Sequence, residues 1–169
     1  QHHQLARKGY AFLLETLKRI THIPNLYLLS VGHEAPDLAI NLRHRHVNFV
    51  SDDQQLAHVY RAADLSVIPS IEDNLPNTVL EALSCGTPVC GFEAGGIPDM
   101  VRPGVTGLLA RTGDIQGLGA AIENLMVDTT KRTLLALQCR RIALQEYTLD
   151  LQARRYMNLY QQLLKKQAS

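Results

Sequence analysis

Short apolar runs alternate with longer amphipathic segments along most of the chain. The runs have the length of buried strands, and they lie at residues 26–31, 46–50, 65–68 and 87–91. Apolar residues at helical spacing predict helices at residues 8–20, 53–63, 78–83, 114–126, 131–145 and 149–165. Because short apolar strands separated by helices form parallel sheets covered on both faces, we expect an α/β domain of three layers.

The predicted strands end in loops that belong at one edge of the sheet. These loops follow residues 32, 50, 70 and 91. Ligands of open parallel sheets bind outside the carboxyl ends of the strands, so we expect a binding site at this edge. The loop after Val50 leads into the helix predicted at 53–63, for which Ser51 or Asp52 is the expected cap.

The segment 69–99 concentrates the residues that suggest chemistry. Asn77 is the expected cap of a helix that opens at Thr78. Because the first N–H groups of a helix have no internal partner, the amides near Asn77 and Thr78 can hold a phosphate. Glu81, about one turn inside this helix, can accept hydrogen bonds from two neighbouring sugar hydroxyls. Asp73, just before the turn, can accept hydroxyls of a second ring, and the combination describes a nucleotide sugar.

A plainer interpretation exists for each acid taken alone. An acid near a helix start, such as Glu81, often serves only the helix dipole or a cap. Asp73 by itself is typical of a turn. The combination of both acids with the helix start is what favours a ligand.

These motifs resemble the C-terminal half of the retaining nucleotide-sugar glycosyltransferases of group 1, glycosyltransferase family 4, which have the GT-B fold. That family carries two acids separated by seven residues after a Pro-Ser strand end, and here Asp73 and Glu81 follow Pro69-Ser70. Three further motifs match its helix with a Cys-Gly turn, its Gly-Gly-Ile-Pro loop and a hairpin-like segment, at residues 81–89, 95–99 and 104–109. The resemblance covers nearly the whole chain and implies a Rossmann-like domain with a parallel sheet flanked by helices.

The resemblance implies a role for each matched position. Glu81 would hold the ribose hydroxyls of the donor, and Asp73 the hydroxyls of the transferred sugar. Lys8, in the Lys-Gly that opens the first helix, would neutralise the leaving diphosphate. The loop at Val50 would contact the base through its backbone, although that turn equally suits a plain helix cap. The donor-binding residues so implied are Lys8, Val50, Asp73, Asn74, Leu75, Asn77, Thr78 and Glu81, of which Lys8 and Asp73 would be catalytic.

Two departures from the family pattern affect the expected site. The first acid is Asp73 where the family has Glu, so its reach is shorter by one methylene. The strand ending in Gly-Arg that the family carries shortly before the Lys-Gly is not found in residues 1–7. The second diphosphate cation is therefore expected outside this chain.

The implied function is donor binding in a retaining glycosyltransferase that transfers a hexose to an acceptor hydroxyl, in surface polysaccharide or glycoconjugate biosynthesis. Residues 1–148 would form the Rossmann-like nucleotide-sugar-binding domain, and residues 149–169 a C-terminal helix that packs toward an N-terminal domain outside this chain. That domain would bring the glycan or lipid-linked acceptor, so this fragment is expected to be inactive alone. The donor would be linked to UDP or GDP.

Composition and short motifs bear on nucleic-acid binding, metal dependence and cellular location. A net charge of +1 gives no general attraction to nucleic acid. No Asp-x-Asp pair is present to hold a divalent metal on the diphosphate, so we expect a metal-independent transferase without a cofactor. Three cysteines without metal-like spacing and the lack of a signal peptide or membrane span favour a cytoplasmic protein. We expect the small basic groups to form a solvated face, and the alternative is loose peripheral contact with an anionic membrane surface, at the inner face of the membrane.

Three alternatives stay open at the level of sequence. A nucleotide-sugar epimerase of the same architecture would need catalytic acids and a histidine around the sugar. A non-catalytic module would bind the nucleotide sugar and transfer nothing. A purely structural domain would use its acids only as caps and would bind no nucleotide.

Overall fold

The computed structural model describes residues 7–167 of the chain. Within these residues the strands are β1 Tyr27–Gly32, β2 Arg43–Asn48, β3 Ser66–Ile68, β4 Val89–Phe92 and β5 Gly107–Ala110. The helices are α1 Tyr10–Arg19, α2 Asp53–Ala62, α3 Asn77–Ser84, α4 Ile97–Met100, α5 Ile115–Val127, α6 Thr129–Glu146 and α7 Leu149–Gln167. Helices thus separate most of the strands, as the hydrophobic pattern predicts.

Every strand ladder is parallel, which confirms the predicted α/β fold with parallel strands flanked by helices. β1 pairs with β2 from Tyr27 opposite Arg43 to Gly32 opposite Asn48. β3 pairs with β4, and β4 pairs with β5. The ladders form two groups, and across residues 7–167 β1, β2, β3 and β5 each keep one edge without a partner strand.

The core lies around β4, a strand whose four residues are all buried. α3 and α5 both contact β4, while α1 packs against α5 and α6 packs against α3. Phe92 of β4 meets Phe12 of α1 edge-on, with ring centroids 5.9 Å apart. A strand without a polar side chain is expected where helices cover a parallel sheet, so β4 and its helices form the rigid frame of the candidate site.

Two strand predictions differ from the structure. β2 begins at Arg43 and ends at Asn48, three residues before the predicted start and two before the predicted end. Arg43 and Arg45 are exposed in β2, and charged residues are common on edge strands, so the apolar run alone did not mark it. The hairpin-like segment 104–109 consists of a turn at residues 104–106 followed by β5, which pairs with β4 in parallel.

The starts of α2 and α7 match the predicted ones, and the other predicted starts differ from the structure by one or two residues. α1 begins at Tyr10, because Gly9 at its start has a left-handed backbone with φ 73°. α6 begins at Thr129 and is capped by Asp128, which accepts from the Lys131 N–H. Asp52, one of two alternatives, is the cap of α2 and accepts from the Gln55 N–H at 2.8 Å.

The last helix, α7, presents a row of large apolar side chains to solvent. Tyr156, Leu159, Tyr160 and Leu163 are all about half exposed in the part of the chain described here. None of the helices between residues 7 and 167 combines the length and apolar content needed to cross a membrane.

Candidate functional site

The Lys8-Gly9 turn is in close backbone contact with the loop that follows β3. The Ile71 N–H donates to the Arg7 carbonyl at 3.0 Å. A Cβ on Gly9 would lie 1.7 Å from the Pro69 carbonyl oxygen, so only glycine allows this approach. The contact places Lys8, the residue before the glycine, beside the loop that carries the first acid.

A second pair of glycines holds the same loop from the β4 side. A Cβ on Gly95 would lie 1.9 Å from the Asp73 carbonyl oxygen, and one on Gly96 would lie 1.8 Å from that of Asn74. The Gly96 N–H donates to the Asp73 carbonyl at 3.0 Å. The predicted Gly-Gly loop therefore fixes the backbone of Asp73 and Asn74.

Lys8 and Asp73, both predicted as catalytic residues, form an ion pair. The Lys8 Nζ donates to Asp73 Oδ2 at 2.5 Å, across 65 residues of sequence. The Asp73 side chain is 14% exposed and the Lys8 side chain 51% exposed. The ammonium group is thus anchored at one end of the loop and still open to an anion from solvent.

The N-terminus of α3 lies at the end of this loop. The helix begins at Asn77 and Pro76 is its N-cap, without a side-chain cap hydrogen bond. The prediction that Asn77 is the cap is therefore wrong, because the helix starts one residue earlier. No acidic residue lies in the first turn, and Asn77 and Thr78 are exposed. Their amides belong to the helix end that favours an anion.

The second acid, Glu81, is hydrogen-bonded to a tyrosine that the sequence analysis did not single out. The Tyr60 hydroxyl of α2 donates to Glu81 Oε2 at 2.8 Å. Burial raises the pKa of Tyr60 far above its ordinary value, and the hydrogen bond to Glu81 raises it further. The phenol therefore stays a proton donor. A tyrosine within an amphipathic helix is usually a packing residue, so the sequence carried no clear signal of this role.

A cavity of about 520 Å³ opens between α2 and α3. Its walls include Asp53, Tyr60, Asn77 and Glu81, and its volume lies in the range of small-molecule sites. A second cavity of about 470 Å³ shares Asn77 and adds Leu75 from the predicted set. Two cavities thus border the first turns of α3.

The predicted residues fall into two groups around α3. Asn77 and Glu81 line the first cavity, whereas Lys8 and Asp73 line neither cavity and lie on the loop side of the helix start. Asn74 is exposed, and so is Leu75. Val50 is half-buried, follows β2 and lines neither cavity.

An aromatic pair that the sequence analysis missed lies at the carboxyl ends of β1 and β2. The rings of His33 and Phe49 stack with centroids 4.6 Å apart and an angle of 11° between them. Phe49 directly precedes Val50 and is 59% exposed. Among residues 7–167, no cluster of three or more histidine, cysteine or acidic side chains could hold a metal ion.

Comparison with known proteins gives the family. A model described as glycosyl transferases group 1 matches residues 2–128. The lipopolysaccharide core biosynthesis glycosyltransferase LpsE of Rhizobium meliloti (strain 1021) is 33% identical over 137 residues, which are 77% of this chain and 39% of that protein. The chain thus spans about two fifths of the length of this relative.

Solved structures show the same fold. Sucrose-phosphate synthase from Thermosynechococcus elongatus superposes with a TM-score of 0.82 at 28% identity, over 95% of this chain and 43% of its own. Anabaena HepE, in a crystal structure with UDP and glucose, superposes with a TM-score of 0.76 at 25% identity, over 92% of this chain and 46% of its own. The fold matches GT-B glycosyltransferase structures, and the chain belongs to the group 1 glycosyltransferases.

Proposed function

We propose that this chain is the donor-binding domain of a retaining group 1 glycosyltransferase, which transfers a hexose from a nucleotide sugar to an acceptor hydroxyl. One arrangement carries the proposal. Along the chain, the amides at the start of α3 come between Asp73, which pairs with Lys8, and Glu81, about one turn further along the helix. An anion between two hydroxyl acceptors is the layout that a diphosphate between ribose and hexose requires.

The proposed roles follow the chemistry of each group. The Asn77 and Thr78 amides and the Lys8 ammonium bind the diphosphate, because each offers donors to phosphate oxygens. Glu81 accepts the ribose hydroxyls, and Asp73 accepts hydroxyls of the hexose. Asn74 and Leu75 shape the loop between them, and the Val50 backbone contacts the base.

The reaction needs no side-chain nucleophile from this chain. The acceptor oxygen bonds to the anomeric carbon as the bond from that carbon to the phosphate oxygen breaks. The acceptor attacks from the face that the diphosphate leaves, and a phosphate oxygen takes the acceptor proton. Lys8 and the helix amides offset the charge of the leaving diphosphate, so the proposed transfer is independent of metal.

The rest of the enzyme is also part of the proposal. Residues 1–148 form the donor domain, and the apolar row of α7, within residues 149–169, packs toward an N-terminal domain that binds the acceptor. UDP is the favoured carrier, because HepE was solved with UDP, and GDP is the alternative. We place the enzyme in surface polysaccharide or glycoconjugate assembly, in the cytoplasm at the inner face of the membrane, where lipid-linked acceptors lie.

Calorimetric titration with UDP-, GDP- and ADP-glucose, with and without EDTA, tests the proposal. We expect one conjugate to bind, EDTA to leave its affinity unchanged, and Lys8→Met to weaken it about tenfold through loss of a charge-assisted hydrogen bond. Lys18→Met is the matched control, because Lys18 pairs with Glu15 at 2.6 Å within α1. Binding that needs a metal ion, or that ignores Lys8, would contradict the proposed site.

A further inference from the structure

The Tyr60–Glu81 hydrogen bond joins two helices, α2 and α3, through polar side chains. Tyr60 lies in the last turn of α2, and Glu81 lies in α3. Both side chains are partly buried and both line the cavity between these helices. The bond from the phenol to Glu81 Oε2 is 2.8 Å long, so the orientation of the carboxylate is fixed from the α2 side.

The Tyr60 backbone is held in turn by Thr87, which is 2% exposed. The Thr87 hydroxyl donates to the Tyr60 carbonyl at 2.9 Å. The Thr87 N–H donates to the Ala82 carbonyl at 2.9 Å, next to Glu81 in the chain. Thr87 therefore connects the end of α2 to α3, and Tyr60 cannot move away from Glu81 without breaking buried hydrogen bonds.

The bond leaves acceptor capacity on the Glu81 carboxylate. A carboxylate offers about four lone-pair positions, and the phenol occupies one of them. Within residues 7–167 Oε1 accepts no hydrogen bond. A free glutamate side chain would have to be ordered when a ligand binds, and pre-ordering removes that cost from binding.

We infer that Tyr60 is a positioning residue for Glu81, whose carboxylate it holds in the orientation that accepts the ribose hydroxyls of the donor. The inference rests on the proposed function. Loss of the Tyr60 hydroxyl should therefore weaken binding of the ribose. The phenol itself does not contact the reacting atoms.

Tyr60→Phe tests this inference, since it removes the hydroxyl and keeps the ring. The probes are whichever of UDP, GDP and ADP binds most tightly and its 2′,3′-dideoxy counterpart. We expect Tyr60→Phe to weaken the ribonucleotide about fivefold, the usual size of one lost hydrogen bond, and to leave the dideoxy counterpart unchanged. In a Glu81→Ala background the same substitution should change neither affinity. Thr87→Val should give a smaller loss in the same direction.

Tyr10→Phe is the matched control, because the Tyr10 hydroxyl donates to the Asp37 carbonyl at 2.9 Å, away from Glu81. It should leave both affinities unchanged, and thermal unfolding of each variant reports on folding. Equal loss for both probes, no loss for either, or a loss that persists without Glu81 would overturn the inference and leave the proposed function standing. If no nucleoside diphosphate binds the unmutated protein, the proposed function fails and this inference fails with it.

Discussion

At the scale of single residues, the two acids of the site have opposite kinds of partner. Asp73 is paired with a cation, Lys8, whereas Glu81 is paired with a neutral donor, Tyr60. The ammonium beside Asp73 divides its three donors between that carboxylate and any anion that arrives there. The phenol beside Glu81 donates one hydrogen bond and leaves the carboxylate able to accept others. The difference in partner supports different proposed roles for the two acids.

Sequence reasoning placed Lys8 and Asp73 in one site, and the structure brings them together. It missed Tyr60, because only the three-dimensional packing of α2 on α3 turns a tyrosine of an amphipathic helix toward Glu81. It chose Asn77 as a cap, because asparagine is common at that position. Pro76 takes the position instead, and it leaves the Asn77 amide at the helix end where the anion was expected.

A second ion pair, between Arg102 and Glu146, gives a pH-dependent prediction. Nη1 and Nη2 of the Arg102 guanidinium donate to Glu146 Oε1 and Oε2 at 2.9 and 2.5 Å. The hydrogen bond from Arg102 lowers the pKa of Glu146 below its ordinary value of 4.5. A lowered pKa in the folded state stabilises the protein above the unfolded value, and this stabilisation is lost as the pH falls through the folded value.

Glu146→Gln should therefore lower the free energy of unfolding at neutral pH by less than about 1 kcal/mol, since the pair is partly exposed. Well below pH 4.5 the variant and the unmutated protein should have equal stability. Urea unfolding at the two pH values measures both quantities. Glu15→Gln, in an exposed pair with Lys18, is the control. A difference in stability that persists in acid would show that the ion pair is not its cause.

At the scale of elements, close backbone contacts at glycines position the loops of the site. Gly9 presses the start of α1 on the loop after β3, and Gly95 and Gly96 press the loop after β4 on the same segment. Hydrophobic periodicity predicted the elements that these loops join. It could not predict β5, because a pattern does not tell a parallel strand from a hairpin. Gly107 allows the close approach of β5 to β4, since a Cβ there would lie 1.8 Å from the Val89 carbonyl oxygen.

Gly9→Ala and Gly104→Ala form a matched pair at this scale. Both glycines have a left-handed backbone, with φ of 73° and 76°. A Cβ on Gly9 would lie 1.7 Å from Pro69, whereas one on Gly104 would meet nothing within 4 Å. Gly104→Ala should lower the free energy of unfolding by about 1 kcal/mol, because alanine is strained in this backbone conformation.

Gly9→Ala should lower the free energy of unfolding by about 2 to 4 kcal/mol more than Gly104→Ala does, because a backbone contact must open. It should also weaken binding of the diphosphate, because Lys8 moves with the turn. Urea unfolding and calorimetry measure the two effects. Equal destabilisation by the two substitutions would mean that the contact between α1 and the loop does not hold the site.

At the scale of the whole molecule, the matched part of the chain covers only 39% of the relative LpsE. The row of large apolar side chains on α7 is about half exposed among the described residues. This surface agrees with the proposal that the donor domain works against a second domain. The proposal assigns the acceptor to that second domain, so its identity was not expected from the residues of this chain.

Ligand-observed NMR with UDP, GDP, ADP and their glucose conjugates, on the unmutated protein and on Glu81→Ala, measures whether this chain binds a nucleotide-sugar donor through Glu81. Glu123→Ala is the control, since Glu123 lies on α5 and pairs with His22 at 3.0 Å. We expect selective binding of one nucleotide series, markedly weaker in Glu81→Ala and unchanged in Glu123→Ala. An affinity that Glu81→Ala leaves unchanged, or no binding by the folded protein, would contradict the proposed donor site.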